Sequence, residues 1–80
     1  MFNSKNCEGC EAMNPLVEKL EQEQGLKVER LEVWYNNDNQ KLLSQYAGIA
    51  TTPFFYNEST EKKILGECDY ESLKSWALNN

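Results

Sequence analysis

The chain has 80 residues, no histidine, and thirteen acidic against eight basic side chains, which gives a formal charge of -5. This length fits a single domain over 1–80, and the negative charge excludes a phosphate-binding surface for nucleic acid, which needs clustered Lys and Arg. The longest apolar runs are far shorter than the roughly 20 residues that span a bilayer, and no export signal is evident. We therefore expect a cytoplasmic protein that binds neither nucleic acid nor membrane.

The first periodic segment runs from Cys7 to Gln24. Its apolar residues follow the i, i+3, i+4, i+7 spacing of a helix with one buried face, and they are Met13, Leu16, Val17 and Leu20. Gly25 is a suitable residue for ending this helix. The segment Lys27–Trp34 is rich in β-branched and aromatic residues between two turn signals, so it is predicted to be a strand.

A second helix is predicted to begin in the Asn/Asp cluster, with Asn37 or Asp38 capping its first free amides, and to run to about Ala47. Its inner side carries Leu42, Leu43 and Tyr46. The next elements are a strand over Phe54–Tyr56, a turn over Asn57–Glu61, a strand over Lys62–Leu65, and a last helix with Asp69 as its N-cap and Tyr70, Leu73, Trp76 and Ala77 on its inner face.

The candidate reactive residues of this chain are its three cysteines, Cys7, Cys10 and Cys68. An odd number does not fit a purely structural disulfide framework, and the lack of histidine removes Cys-His pairs and His-containing zinc sites. Cys7 lies at the start of the first helix, where the helix dipole stabilises a thiolate. We therefore assign Cys7 as the attacking thiol and Cys10, one turn on, as the resolving thiol. The pair alone leaves a static disulfide or two unreactive thiols open.

Thr51-Thr52-Pro53 precedes the aromatic strand. Proline cannot donate a hydrogen bond within a sheet, and cis peptide bonds occur almost only before proline. An isolated X-Pro bond is nevertheless cis in only about 5% of cases, so these residues alone favour the trans form.

Four landmarks together resemble the thioredoxin-like superfamily over nearly the whole chain. Cys7-Glu8-Gly9-Cys10 resembles its redox motif, and Pro15 is similar to the kink proline of its active-site helix. Tyr46-Ala47-Gly48-Ile49 followed by Thr51-Thr52-Pro53 resembles the approach to its cis-proline, and Gly66 resembles the glycine that lines its substrate groove. The resemblance favours a cis Thr52–Pro53 bond.

The resemblance implies an α/β fold of minimal thioredoxin-like form, with a four-stranded mixed sheet flanked by three helices. Its first strand is truncated, because only Met1–Ser4 can supply it. The implied activity is thiol-disulfide exchange by Cys7 and Cys10 on a protein or small-molecule disulfide, with no cofactor and with a reductase or glutathione as electron donor. The substrate-binding residues it implies are Thr52, Pro53, Gly66, Glu8 and Gly9.

The chain also departs from the family pattern. The position of the family's buried acid falls at Met1, so proton transfer is expected to use water, Glu8 or Glu67. Cys68 is expected near the rim of the substrate site, and Cys7, Cys10 and Cys68 together offer an alternative function, thiolate binding of zinc or copper(I). A redox-inert interaction module is a further alternative. The short first strand predicts either a homodimer through that strand or an ordered N-terminal stub.

Overall fold

The computed structural model describes residues 1–48 and 51–78. Seven elements follow in chain order: β1 (Phe2–Asn3), α1 (Glu8–Gln24), β2 (Leu31–Glu32), α2 (Asn37–Ala47), β3 (Phe54–Tyr56), β4 (Lys63–Leu65) and α3 (Tyr70–Leu78). Among these elements no helix is both long enough and apolar enough to cross a membrane.

The four strands form one mixed sheet in the order β2-β1-β3-β4. β1 runs parallel to β2 and antiparallel to β3, and β3 and β4 form an antiparallel hairpin. The predicted α/β architecture, with three helices and a four-stranded mixed sheet, is therefore confirmed. The N-terminal stub forms β1, which lies in the middle of the sheet with a neighbour on each side.

Two hydrophobic clusters lie on the two faces of this sheet. The first joins α1 and α3 to the sheet through Met13, Val17, Leu20, Phe55, Leu73 and Trp76, among other residues. The second joins α2 to the sheet through Phe2, Val33, Leu43 and Phe54. A sheet with helices on both faces buries its central strands completely, which explains why Phe54 and Phe55 are both buried although they are adjacent.

The helix ends follow from their capping residues. α1 ends at Gly25, which has the left-handed conformation (φ 64°) that glycine adopts without strain. α3 begins after Asp69, whose carboxylate accepts a hydrogen bond from the Ser72 N–H at 2.8 Å. The cap predicted for α2 was wrong by one residue: Asn36, not Asn37 or Asp38, has extended backbone angles and accepts the Asn39 N–H at 3.0 Å.

The strand predicted over Lys27–Trp34 is much shorter in the structure, where only Leu31–Glu32 forms β2. A strand needs a paired neighbour, and β1 offers only two residues for pairing. Similarly, the strand predicted over Lys62–Leu65 begins one residue later, at Lys63.

Candidate functional site

The Cys7 and Cys10 sulfurs are joined by a disulfide bond at the start of α1. Cys7 is the N-cap residue of the helix, and its Sγ accepts a hydrogen bond from the Cys10 N–H at 3.0 Å. Cys7 is half-buried, whereas Cys10 is only 4% exposed and belongs to the core beneath α1. Cys7 is therefore the more accessible residue of the pair.

A short chain of hydroxyl groups leads from the end of β1 to this sulfur. Thr52 donates a hydrogen bond from Oγ1 to Cys7 Sγ at 3.5 Å, and Ser4 Oγ lies 2.9 Å from the same Thr52 oxygen. The Thr52–Pro53 peptide bond is cis, as predicted. The structure thus places Thr52 in direct contact with the sulfur assigned to attack.

Gly9 packs closely against the loop before β3. A Cβ atom added to Gly9 would lie 2.9 Å from Pro53 Cδ and 3.3 Å from Glu67 Cγ. Because real Cβ atoms do not approach ring carbons so closely, only glycine fits here without a shift of Pro53 or Glu67. The predicted residues Gly9 and Pro53 therefore lie together, and Glu67 lies beside them.

Gly66 fixes the position of Pro53 through a backbone hydrogen bond. Its N–H donates to the Pro53 carbonyl at 2.8 Å, and its φ of 85° is one that L side chains rarely adopt. This bond extends the β3–β4 hairpin and brings Glu67 to the cysteine motif. Glu8, in contrast, is an exposed residue of the first helical turn, so the structure puts it at the edge of the site, on the solvent side.

A cleft of 390 Å³ opens beside the disulfide, and Cys7, Cys10, Lys5, Glu11, Glu32 and Tyr35 are among its lining residues. Trp34 and Tyr35, just after β2, are 52% and 74% exposed. The Glu32 carboxylate accepts hydrogen bonds from the backbone N–H of both aromatic residues, and Lys5 Nζ donates to the Tyr35 hydroxyl at 3.3 Å.

Sequence reasoning missed this aromatic pair because it assigned Trp34 to the strand. The sequence did contain one indication of an exposed aromatic pair, because two adjacent aromatic residues stand directly before the Asn/Asp cluster.

Cys68 is half-buried and unpaired, and its N–H lies 3.5 Å from the Met13 sulfur. Burial raises the pKa of the Cys68 thiol, and the neighbouring Asp69 carboxylate raises it further. Within residues 1–48 and 51–78, no three His, Cys, Asp or Glu side chains are grouped as a metal site would require. The ligand set of Cys7, Cys10 and Cys68 considered from sequence is therefore not assembled in this structure.

Met1 occupies the position where the family has its buried acid, and here it is a buried core residue. Ile49, which the resemblance also involved, lies outside the described residues.

Comparison with known protein families finds no family model that matches this chain, and comparison with curated proteins finds no significant match.

Proposed function

We propose that this protein is a thiol-disulfide oxidoreductase of thioredoxin-like fold that uses Cys7 and Cys10 as its redox pair. The observation that supports this most directly is the surroundings of Cys7 Sγ. This sulfur caps α1, accepts the Cys10 N–H at 3.0 Å, and accepts the Thr52 hydroxyl at 3.5 Å.

Each of these features favours the negatively charged form of the sulfur. The N-terminus of α1 contributes a partial positive charge, and both hydrogen bonds become stronger when their acceptor is an anion. Since the thiolate is the reactive form of cysteine, the same surroundings that stabilise it prepare Cys7 for attack on a disulfide.

The proposed reaction has two exchange steps. In the first, the Cys7 thiolate attacks one sulfur of the substrate disulfide, so that a Cys7–substrate disulfide forms and the other substrate sulfur leaves as a thiolate. In the second, Cys10 loses its proton to water or a nearby carboxylate and attacks Cys7 Sγ, which releases the second substrate thiolate. The substrate gains two electrons, and the protein is left with the Cys7–Cys10 disulfide seen here.

Within this proposal, substrate binding is assigned to the residues that the resemblance implies, which are Thr52, Pro53, Gly66, Gly9 and Glu8. The close packing of Gly9 against Pro53 and Glu67 supports this assignment, because it brings the proline loop next to the cysteine motif. Two electrons from a reductase or from glutathione then regenerate the dithiol. The proposal includes a cytoplasmic location, because disulfides in that compartment are usually transient and catalytic.

Reduction of insulin by dithiothreitol tests the proposal. The protein is expected to accelerate the reaction, and Cys7→Ser is expected to abolish the acceleration, because the first disulfide bond can no longer form. Cys68→Ser is the matched control and is expected to retain activity, since Cys68 is not paired with either thiol. Equal activity of the Cys7→Ser variant and the unmodified protein would refute the assignment.

A further inference from the structure

Two exposed aromatic residues follow β2 at the end of the sheet that carries the disulfide. β1 and β2 are parallel, so the segments that follow them leave the sheet at the same end. Cys7 follows β1, and Trp34 and Tyr35 follow β2. Both aromatic side chains are mostly exposed, and Tyr35 lines the 390 Å³ cleft together with Cys7. An aromatic surface therefore borders the cleft beside the disulfide.

The backbone of this aromatic pair is held in place by side chains. The Glu32 carboxylate accepts the N–H groups of Trp34 and Tyr35, the latter at 3.0 Å. Gln40, in the first turns of α2, donates from its side-chain amide to the Val33 carbonyl at 2.6 Å. Aromatic residues are enriched at interaction surfaces, and a backbone that is already fixed loses little freedom when a ligand binds. The pair thus has the properties of a binding surface.

The cleft and Thr52 lie on opposite sides of Cys7. The sheet order β2-β1-β3 places the segment after β2 on one side of the segment after β1, and the segment before β3 on the other. A substrate polypeptide continues in both directions from the cysteine that bonds to Cys7. In the proposed function one direction lies along Thr52 and Pro53, so the cleft beside Tyr35 remains for the other direction.

The charges around the cleft favour a cationic ligand. The carboxylates of Glu11 and Glu32 line it, and among the described lining residues Lys5 is the single cation. Lys5 Nζ is directed to Tyr35, where it donates to the hydroxyl at 3.3 Å and lies 5.9 Å from the ring centroid. Glu11 is exposed and forms no ion pair within residues 1–48 and 51–78, and exposed Glu8 lies on the same helical turn. The cleft therefore combines aromatic rings with excess negative charge.

We propose that this cleft binds an arginine side chain of the substrate, so that the preferred substrate is a polypeptide disulfide with arginine next to its cysteine. Arginine fits both features, because its guanidinium stacks on aromatic rings and pairs with carboxylates. Tyr35 supplies the ring and Glu11 the carboxylate, and both line the same cleft. Glutathione disulfide, which carries a net negative charge, is disfavoured by Glu8 and Glu11. This inference rests on the proposed function and adds a substrate class to it.

Three peptide disulfides test the proposal. The probes are disulfide-linked dimers of acetyl-Ser-Arg-Cys-Arg-Ser-amide and of the same peptide with Gln or Glu in place of Arg. The second-order rate constant for reduction by the reduced protein is measured for each. It is divided by the rate constant with dithiothreitol, which corrects for the different leaving thiols. We expect the corrected rate for the Arg peptide to exceed that for the Gln peptide about fivefold.

The same measurement orders the anionic substrates. The Glu peptide and glutathione disulfide are expected to react more slowly than the Gln peptide. Added salt should reduce the preference for Arg, because the charges around the cleft are exposed to solvent. Equal corrected rates for the Arg, Gln and Glu peptides would overturn the arginine site while leaving the proposed function intact. No reduction of any peptide would refute the proposed function, and this inference with it.

Two pairs of matched variants locate the binding site. Tyr35→Leu and Glu11→Gln should each lower the preference for Arg over Gln to about twofold, since each removes one of the two contacts. Tyr35→Phe keeps the ring and Glu18→Gln removes an exposed charge elsewhere on α1, so both should retain the preference. A general loss of folding would lower all rates together and leave their ratio unchanged. A preference unaffected by both Tyr35→Leu and Glu11→Gln would overturn the proposal.

Discussion

The Thr52 hydroxyl donates a hydrogen bond to Cys7 Sγ at 3.5 Å, although 45 residues separate the two in the chain. Their contact depends on β1 and β3 being neighbours in the sheet, since Cys7 follows β1 closely and Thr52 precedes β3. The residue before the cis-proline thus contacts the sulfur of half-buried Cys7 through its side chain. This contact connects the fold to the proposed chemistry.

Replacing Thr52 by Val removes this hydrogen bond without changing the shape of the side chain. We expect the thiolate of reduced Cys7 to be less stable by about 1 kcal/mol, a typical net value for one hydrogen bond, so its reaction with iodoacetamide should slow about fivefold at a pH where Cys7 is mostly protonated. Thr52→Ser retains the hydroxyl and should react at nearly the original rate. The rates are measured by mass spectrometry in a background that lacks Cys10 and Cys68, so that only Cys7 can react. An unchanged rate in Thr52→Val would contradict the role assigned to this contact.

Gly9→Ala tests how tightly α1 packs on the proline loop. In an unhindered helix position, Gly→Ala raises the free energy of unfolding by up to about 1 kcal/mol. Here the added Cβ would meet Pro53 Cδ at 2.9 Å, so we expect no gain in stability and a fall in insulin reduction. Ala12→Gly, at an exposed position of the same helix, measures the propensity effect without the clash. A full gain in stability with unchanged activity would show that the loop has room to move.

Glu21 predicts a specific pH dependence of stability. Its carboxylate accepts hydrogen bonds from Arg30 at 3.0 Å and from the Val28 N–H at 2.9 Å, and these bonds lower its pKa below the ordinary value of 4.5, the Arg30 bond most. Because the folded pKa is the lower one, the stabilisation is present above pH 4.5 and is lost as the pH falls through the folded pKa.

Glu21→Gln keeps an acceptor for Val28 but removes the charge. Because the pair is partly exposed, we expect a loss of about 1 kcal/mol in unfolding free energy at pH 7 and a smaller decrease in stability on acidification. Urea unfolding between pH 3 and pH 7 measures both. Glu18→Gln, exposed on the same helix, is the control, and an equal acid response of the two variants would contradict this role of Glu21.

Cys68 should react much more slowly than Cys7 in the reduced protein. Burial, and then the Asp69 charge, raise the pKa of its thiol above the ordinary value of 9.0. At pH 7 we therefore expect iodoacetamide to modify Cys7 well before Cys68, and modification of Cys68 to keep accelerating above pH 9. Asp69→Asn retains a suitable cap for α3 and should speed modification of Cys68. Peptide mapping by mass spectrometry gives the order, and fast modification of Cys68 at pH 7 would be incompatible with its surroundings.

The helices could be predicted from sequence because their limits depend on nearby residues. Gly25 ends α1 and Asp69 begins α3 by contacts within a few positions of the chain. The extent of β2 could not be predicted in this way. Lys27–Arg30 has the composition of a strand, but whether it pairs depends on the distant β1, whose paired register begins with Phe2 opposite Leu31.

The candidate site, like the fold, could be predicted only where it depends on residues close together in the chain. Cys7 and Cys10 could be assigned from their spacing at a helix start, whereas the importance of Thr52 came only from resemblance to a family, because nothing local connects Thr52 to Cys7. The contact of Glu67 with Gly9, and the exposure of Trp34 and Tyr35 beside the cleft, depend on how distant segments pack. No periodicity or motif within the chain contains that information.

The most direct test of the proposed function is the equilibrium of the Cys7–Cys10 pair with glutathione. The Cys68→Ser variant is equilibrated in buffers of increasing oxidised glutathione, free thiols are alkylated, and mass spectrometry counts them. We predict a single two-electron transition from dithiol to disulfide between about -270 and -120 mV, the range of thioredoxin-type proteins. A pair that stays oxidised under the most reducing buffer, or that never oxidises, would contradict the assignment of Cys7 and Cys10 as a redox centre.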